Sequence, residues 1–226
     1  RENHMNKVVA VVLNYNTAKD SKKCLEYLLK QDYADFEIVV VDNNSPMNDY
    51  QKLESDIDTL QSNRIELIRN EINSGFSAGN NIGLRRAKEK DAEWSLVINP
   101  DVELRDKSYI TKMISAISET HKVAVAASNV ILPNGQRQNP MIEPKYWEEL
   151  LWPIESVTRK IRKNNSYLGA DQTGYCEKVS GCCFFIRMSF AEKMGYLDES
   201  VFLYCEEPIL ASRVKKYGYK ELYVRE

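Results

Sequence analysis

Two carboxylates follow directly after apolar runs of the chain. Ile38–Val41 leads into Asp42, and Trp94–Ile98 leads through Asn99 and Pro100 into Asp101. Such runs are typical of buried strands, and a proline ends a strand. Because open α/β sheets bind ligands beyond the carboxyl ends of their strands, we expect both carboxylates at one polar site that could include a metal ion. Each carboxylate alone would equally suit the cap of a turn or helix.

A second acidic group, Glu206-Glu207, stands just before Pro208. Proline is favoured in the first turn of a helix, so we expect the last helix to begin at Pro208, with Glu207 at its N-cap. The helix dipole there favours ionised carboxylates, which can accept a proton. The preceding residues, 202–205, are too apolar for a simple surface turn, which places the pair at the lip of a pocket. Ordinary capping of the helix is the alternative.

The segment Gly75–Gly83 is rich in small residues and comes just before a predicted helix. Backbone amides at such a junction can approach a phosphate, and the helix dipole favours the negative charge. The spacing matches neither a P-loop nor the dinucleotide fingerprint. Glycine and asparagine also serve ordinary turns, so this segment alone decides nothing.

The composition excludes several classes of protein. The net charge of -2 gives no reason to expect a nucleic-acid partner. The five cysteines contain no Cys-x-x-Cys pair, which argues against a disulfide framework or a thiolate zinc site. With no signal peptide or transmembrane run visible, we expect a cytoplasmic protein. Asn3-His4-Met5 resembles the remnant of an expression tag, so residues 1–6 are left out of the fold prediction.

Strand and helix patterns alternate through the first half of the chain. This rhythm predicts an α/β fold with a mixed, mostly parallel sheet flanked by helices. The predicted strands are Val8–Leu13, a run ending at Asp42, Ile65–Ile68, a run ending before Asp101, Val123–Ala127 and Val179–Ile186. The predicted helices begin at Asp20 or Ser21 and near Tyr50, continue to Ala87, cover Ile110–Ile117, and end at Gly195 and Gly218; Asn134-Gly135 predicts a hairpin turn.

Five segments, in order along the chain, together resemble glycosyltransferase family 2 with its GT-A fold, close to the bacterial branch that includes rhamnosyltransferases. They are Val11–Asn16, Val40–Ser45, Asn73–Gly83, Val97–Asp101, and Ser180–Cys183 through Glu206-Glu207. The resemblance implies a single GT-A domain over residues 7–226. Residues 7–103 would form its nucleotide-sugar-binding half and residues 104–226 its acceptor-binding half.

The resemblance also implies roles for individual residues. Asp101 would hold a divalent cation, Mg²⁺ or Mn²⁺, on the diphosphate. Glu207 would be the catalytic base, and Glu206 would position the acceptor or its loop. Asp42 would contact the base or ribose, and the Gly75–Asn80 loop would lie along the nucleotide. The full substrate-binding set is Asn14, Tyr15, Asn16, Asp42, Asn44, Gly75, Gly79, Asn80, Asn99 and Gly181.

The implied reaction is an inverting sugar transfer in cell-surface polysaccharide synthesis. The donor would be a nucleotide-diphosphate sugar, and the acceptor a glycan or a lipid-linked sugar. Trp147, Trp152 and the basic run Arg159–Lys163 make the segment from Met141 to Asp171 a candidate for the acceptor side. That segment could also touch the inner face of the membrane peripherally. A solvated basic helix that covers the core is the alternative for the same residues.

Three features depart from the family pattern. Asn99 replaces the first aspartate of the Asp-x-Asp motif, and Ile209 stands where a further aspartate is common. The chain ends at Glu226, before the family's downstream histidine, so we expect a C-terminal truncation. These departures keep open a non-catalytic nucleotide-sugar or glycan-binding domain. A nucleotidyltransferase is a third reading, but it would want a basic, glycine-rich loop after the first strand, where Asn14–Thr17 stands.

Overall fold

The computed structural model describes residues 6–141, 171–203 and 206–225. In this part of the chain eight strands form one sheet, in the order β3-β2-β1-β4-β7-β5-β8-β6. The strands are β1 (Val8–Asn14), β2 (Phe36–Asp42), β3 (Ile65–Arg69), β4 (Trp94–Ile98), β5 (Val123–Ser128), β6 (Gly174–Cys176), β7 (Cys183–Arg187) and β8 (Lys220–Val224). The helices are α1 (Ala18–Leu29), α2 (Met47–Leu60), α3 (Gly75–Glu89), α4 (Tyr109–Ser118), α5 (Met188–Lys193) and α6 (Glu206–Lys216).

Helices cover both faces of the sheet, and the pleat of β1 divides the apolar residues between them. Val8, Ala10 and Val12 face the core formed with α1, α2 and α4. Val9 and Val11 face the core formed with α3, α5 and α6. Successive side chains of a strand point to opposite faces, so a strand covered on both sides must be apolar throughout. This explains the unbroken apolar runs in the sequence.

The first four strands are parallel, and the later ones make the sheet mixed. β1 pairs with β2 and β4, and β2 pairs with β3, all in parallel. β7 lies antiparallel between β4 and β5. β8 pairs in parallel with β5, and the short β6 lies antiparallel at the edge. The predicted mixed, mostly parallel sheet is confirmed, although the sequence analysis had predicted neither β6 nor β8.

The predicted loop at residues 75–80 is wrong, because α3 already begins at Gly75. Two of its glycines face the sheet at close range. A Cβ at Gly79 would lie 2.6 Å from Leu13 Cδ1, and one at Gly83 would overlap Val11 Cγ1 and lie 3.0 Å from Cγ2. The glycines therefore let a helix approach β1 closely, a packing role that the sequence pattern does not distinguish from phosphate binding.

Three other predicted boundaries move. α1 begins at Ala18 because the Ala18 amide donates to Asp49 Oδ1 at 3.1 Å. α6 begins at Glu206, so Glu207 lies in the first turn of the helix rather than at its N-cap. β7 begins at Cys183 because the amide of Val179 is bound by the Glu221 side chain instead of a neighbouring strand.

Residues 142–170 of the candidate membrane-contact segment lie outside the described residues, and they include Trp147, Trp152 and Arg159–Lys163. Of the helices in the described ranges, none combines the length and apolar character needed to cross a bilayer.

Replacing Gly83 with alanine is expected to destabilise the protein by about 1–2 kcal/mol. The helix would gain about 1 kcal/mol of propensity, but an added methyl in a packed core costs about 1–3 kcal/mol. The overlap with Val11 puts Gly83 in the upper half of that range, about 2–3 kcal/mol, which leaves a net loss of about 1–2 kcal/mol. Val11 is β-branched and fully buried, so it cannot swing aside. Denaturant unfolding measures the difference. Gly174→Ala, where a Cβ meets nothing within 4 Å, is the control; a Gly83→Ala variant as stable as the parent would contradict the packing argument.

Candidate functional site

Polar residues gather at the carboxyl edge of the parallel strands, with Asn14 at their centre. Asn14 ends β1 and lies beside Asp42 at the end of β2. Its buried Nδ2 donates to Asp42 Oδ1 at 2.9 Å, to Ser45 Oγ at 3.1 Å and to Asp49 Oδ2 at 3.2 Å. Its Oδ1 accepts from Ser21 Oγ at 2.7 Å and from the Thr17 hydroxyl at 3.1 Å. Asn14 thus joins the turns after β1 and β2 to the start of α1.

Asp42 is fully buried, and both of its carboxylate oxygens are engaged. Oδ1 accepts from Asn14, and Oδ2 accepts from the Ser45 amide at 3.1 Å. The direct contact of Asp42 with a base or ribose stays a prediction, and it would require the turn to open because the side chain is fully buried. The geometry gives Asp42 the task of shaping that turn.

Three predicted residues are exposed at the same edge. Tyr15 and Asn16 follow β1, and Asn44 follows β2. Asn16 and Asn44 have φ angles of 56° and 64°, in the left-handed region that asparagine tolerates better than most residues. Their side chains, with the ring of Tyr15, are available to a ligand.

Asn43, which the sequence analysis overlooked, fixes the loop before α3. Its Nδ2 donates to Asn73 Oδ1 at 2.8 Å and to the Gly75 carbonyl at 3.2 Å. Its Oδ1 accepts from Asn70 Nδ2 at 3.0 Å. Asn44 was predicted as the site residue because sequence position alone does not reveal which of the two side-chain amides, Asn43 or Asn44, faces inward.

The first two backbone amides of α3 are already bonded within the protein. The Gly75 amide donates to Asn73 Oδ1 at 3.1 Å, and the Phe76 amide donates to the Phe202 carbonyl at 2.8 Å. Asn80 is buried, and its Nδ2 bonds the Phe76 carbonyl at 3.0 Å. The expected contact of Gly75, Gly79 and Asn80 with the nucleotide stays a prediction, and the Gly75 and Phe76 amides would have to leave their present partners to meet a phosphate. Asn80 Oδ1 is a buried oxygen with no partner among the described residues.

Asp101 stands three residues beyond β4 with an exposed side chain, and Asn99 before it is half-buried. In the described ranges no three or more His, Cys, Asp or Glu side chains gather as a metal cage. One exposed carboxylate nevertheless fits a hard cation that arrives with a diphosphate. Such a cation takes oxygen ligands and keeps several waters.

Cys182 connects Asp101 with the acidic pair. Its carbonyl accepts from the Asn99 amide at 2.8 Å, which ties it to the turn that carries Asp101. Burial raises the pKa of the Cys182 thiol, and the charges of Asp101 and Glu207 raise that pKa further. Both carboxylates therefore lie within electrostatic range of one thiol, which stays protonated at neutral pH.

The two members of the acidic pair differ in environment. Glu207 Oε1 accepts from the buried Gly181 amide at 3.2 Å, so the predicted substrate residue Gly181 instead contacts the acidic pair. Glu207 Oε2 has no hydrogen-bond partner within the described ranges. Glu206 Oε2 is buried and likewise unpartnered among the described residues. Burial raises the pKa of the Glu206 carboxyl above 4.5, and the nearby Glu207 charge adds to the rise.

Most of the chain matches a known protein family. The sequence model of Glycosyl transferase family 2 matches residues 9–195. The chain belongs to this family. The matched span contains the Asn14 network, Asp101 and Gly181, and the acidic pair lies just beyond it.

Two curated relatives of this family 2 chain are informative. It is 27% identical over 207 residues to the low-salt glycan biosynthesis hexosyltransferase of Haloferax volcanii, covering 91% of the chain and 61% of the relative. It is 27% identical over 140 residues to the N-acetylglucosaminyl-diphospho-decaprenol L-rhamnosyltransferase of Mycobacterium tuberculosis, covering 58% of the chain and 44% of the relative. The family 2 chain therefore spans less than two thirds of either relative.

Solved structures share the fold. The mannosyltransferase of Pyrobaculum calidifontis, in complex with GDP-Man and Mn²⁺, superposes with a TM-score of 0.70 at 16% identity, covering 99% of this family 2 chain and 56% of that one. TarS of S. aureus gives 0.67 at 18% identity, covering 96% and 58%. These likenesses confirm the predicted GT-A fold.

Glu206→Gln is expected to raise the melting temperature at about pH 7.5. A carboxyl whose pKa is raised by folding contributes stability below its unfolded pKa and loses that contribution as the pH rises through its folded pKa. The neutral amide removes this loss, so the advantage of the variant should shrink towards zero near about pH 4. Thermal unfolding across this range is the measurement, with the surface variant Glu192→Gln as control. An advantage that is independent of pH would contradict the assignment.

Proposed function

We propose that this chain carries the catalytic domain of an inverting glycosyltransferase. It would move a sugar from a nucleoside-diphosphate donor to a hydroxyl of a glycan or lipid-linked acceptor. The observation that carries the proposal is that two adjacent residues hold both acidic positions at the carboxyl edge of the sheet. The Cys182 carbonyl accepts from the Asn99 amide at 2.8 Å, in the turn that carries Asp101, and the Gly181 amide donates to Glu207 Oε1 at 3.2 Å. One carboxylate is suited to the leaving diphosphate and the other to the attacking hydroxyl.

The donor is proposed to bind over the ends of β1 and β2, within residues 7–103. The exposed ring of Tyr15 offers a face for stacking, and Asn16 and Asn44 offer amides to a ribose or base. A neighbour of known structure was solved with GDP-Man and TarS with UDP-GlcNAc, which supports a nucleotide sugar as the class of donor. The acceptor would then approach from residues 104–226.

Asp101 is the residue proposed to hold a divalent cation. When bound, such a cation would neutralise charge on the departing diphosphate. The P. calidifontis neighbour was solved with Mn²⁺, which supports the same class of ion. Asn99 supports the site indirectly through its bond to the Cys182 carbonyl, which fixes the turn before Asp101.

The chemical step follows from a single displacement. The acceptor oxygen forms a bond to the anomeric carbon while the bond from that carbon to the diphosphate oxygen breaks. The proton of the acceptor hydroxyl passes to Glu207, and the nucleoside diphosphate leaves with the electron pair. The Gly181 amide orients Glu207 through Oε1, which leaves Oε2 for the hydroxyl. Attack opposite the leaving group inverts the configuration of the sugar.

A non-catalytic nucleotide-sugar-binding domain is the second candidate, and Ile209 favours it. Ile209 stands where the family pattern often has a further aspartate, and its side chain lines a small cavity together with Glu206. Turnover of a panel of nucleotide sugars, with and without Mn²⁺, separates the two. Donor binding with neither transfer to an acceptor nor hydrolysis of the donor would favour the binding domain.

Asp101→Ala is expected to weaken Mn²⁺-dependent binding of a nucleoside diphosphate by at least about 10- to 100-fold, the loss that even an outer-sphere ligand causes. The fold should be unaffected because the side chain is exposed. Calorimetric titration with and without Mn²⁺ measures it. Glu103→Gln, which alters a carboxylate already paired with Lys23 and Arg105, is the matched control. Equal affinities for Asp101→Ala and the parent would remove Asp101 from the metal site.

Glu207→Gln is expected to lower turnover by about 10²- to 10⁴-fold, the usual value of general-base help. The amide keeps the shape and the Gly181 contact but cannot take the proton, so donor affinity should stay near that of the parent. Steady-state kinetics and donor titration are the measurements, with Glu192→Gln as control. If Glu206→Gln proves the crippling change, the two roles must be exchanged. If neither variant loses turnover, the single displacement fails.

A further inference from the structure

Residues 194–203, called the segment below, follow α5 and precede the acidic pair at the start of α6. The segment is hydrogen-bonded to α3. Near its end, the Phe202 carbonyl accepts from the Phe76 amide at 2.8 Å. Gly75, with a φ of 85°, lies so close to Phe202 that a Cβ there would sit 2.9 Å from Phe202 Cα. The approach to Glu206 and Glu207 is therefore built against the first turn of α3.

Asn81 holds the middle of the same segment. Its Nδ2 donates to the Leu197 carbonyl at 2.9 Å, and its Oδ1 accepts from the Leu197 amide at 2.9 Å. The Nδ2 also donates to Glu199 Oε1 at 2.8 Å. The Asn81 side chain is fully buried. Its amide satisfies both backbone groups of Leu197, as a neighbouring strand would. A lost partner at a buried backbone group costs about 1–3 kcal/mol.

Arg213 ties the flanking residues of the segment to α6. It donates from Nη1 to the Tyr196 carbonyl at 2.9 Å, and from Nη2 to Asp198. α3 thus grips Leu197 from one side while α6 grips residues 196 and 198 from the other. A cavity of about 10 Å³ lies where the three elements meet, lined by Ser77, Leu197, Asp198, Glu206, Ile209 and Arg213. Leu197 and Glu206 both line this cavity, so the clamped residue and the first turn of α6 border the same space.

We propose that Asn81 is a positioning residue for the transfer reaction: by clamping Leu197 to α3, it sets where the first turn of α6 carries Glu206 and Glu207. This inference rests on the proposed function. It links the helix packed on β1 and β2, beside the proposed donor pocket, to the base that would act on the acceptor. Asn81 touches no reacting group and acts only through the segment and α6.

Asn81→Asp tests the clamp with almost no change of shape. It loses both donated bonds and sets a carboxylate against the Leu197 carbonyl and Glu199. We expect kcat to fall by about 10- to 100-fold, since a displacement of about 1 Å can cost 10²-fold, while the Kd for nucleoside diphosphate stays within about twofold. Adding Glu199→Gln supplies a donor to the new carboxylate and should recover part of kcat.

Arg85→Gln is the matched control. It breaks the outer ion pair of Arg85 with the same Glu199, at 3.0 Å on the surface, and leaves Leu197 clamped. Its kcat should stay within about twofold, because exposed ion pairs contribute little. A merely structural role for Asn81 would lower the melting temperature without changing kcat per folded molecule and without rescue by Glu199→Gln, and that result would overturn the proposal.

Two measurements keep the test decisive. Hydrogen exchange of peptides covering residues 195–203 and the start of α6 should speed up in Asn81→Asp and not in Arg85→Gln. If the parent turns over no sugar, the proposed function fails, but this exchange still decides whether Asn81 holds the acidic pair. If Asn81→Asp does not fold, Arg213→Lys, which shortens the reach of the α6 arm, should show the same loss of kcat. Full kcat in a folded Arg213→Lys would overturn the proposal.

Discussion

The side-chain amide of Asn14 is the interaction on which the polar edge of this sheet depends. It is shielded from solvent and bonded to groups from both following turns and α1. Because each unmet buried polar group costs about 1–3 kcal/mol, the two turns cannot move independently. Asp49 extends this frame by accepting from both Asn14 and the first amide of α1. Exposed residues such as Tyr15 and Asn44 are therefore displayed from a rigid base, which lowers the entropy cost of binding.

The elements that could be predicted from sequence are those in which burial follows a regular pattern along the chain. β1, β2 and β4 are covered on both faces, so an unbroken apolar run is enough to identify each of them as a strand. α4 was predictable because Ile110, Met113 and Ile117 all point into one core. The two strand-end aspartates were found because the carboxyl edge of a parallel sheet is defined by chain direction alone.

The missed features depend on partners far along the chain. The burial of Asp42 follows from an amide 28 positions away, and the role of Asn81 follows from a backbone 116 positions away. Neither of these two long-range contacts can be recognised from a local sequence pattern. β6 and β8 are short and become strands only through pairing: β8 pairs with β5, and β6 pairs with β8. The packing role of the glycines of α3 could not be predicted, because close helix packing and phosphate binding select the same small residues.

The antiparallel β7 has a consequence for how such a chain can be divided. It is the neighbour of β4 on the side away from β1. A fragment ending near residue 103 would therefore leave the backbone of Trp94–Ile98 as an uncovered edge, which invites pairing with other molecules. Residues 7–103 are therefore not a free-standing unit of this fold. An exchange of residues 104–226 between relatives would succeed only if the register of Trp94 with Arg187 and of Ile98 with Cys183 were kept.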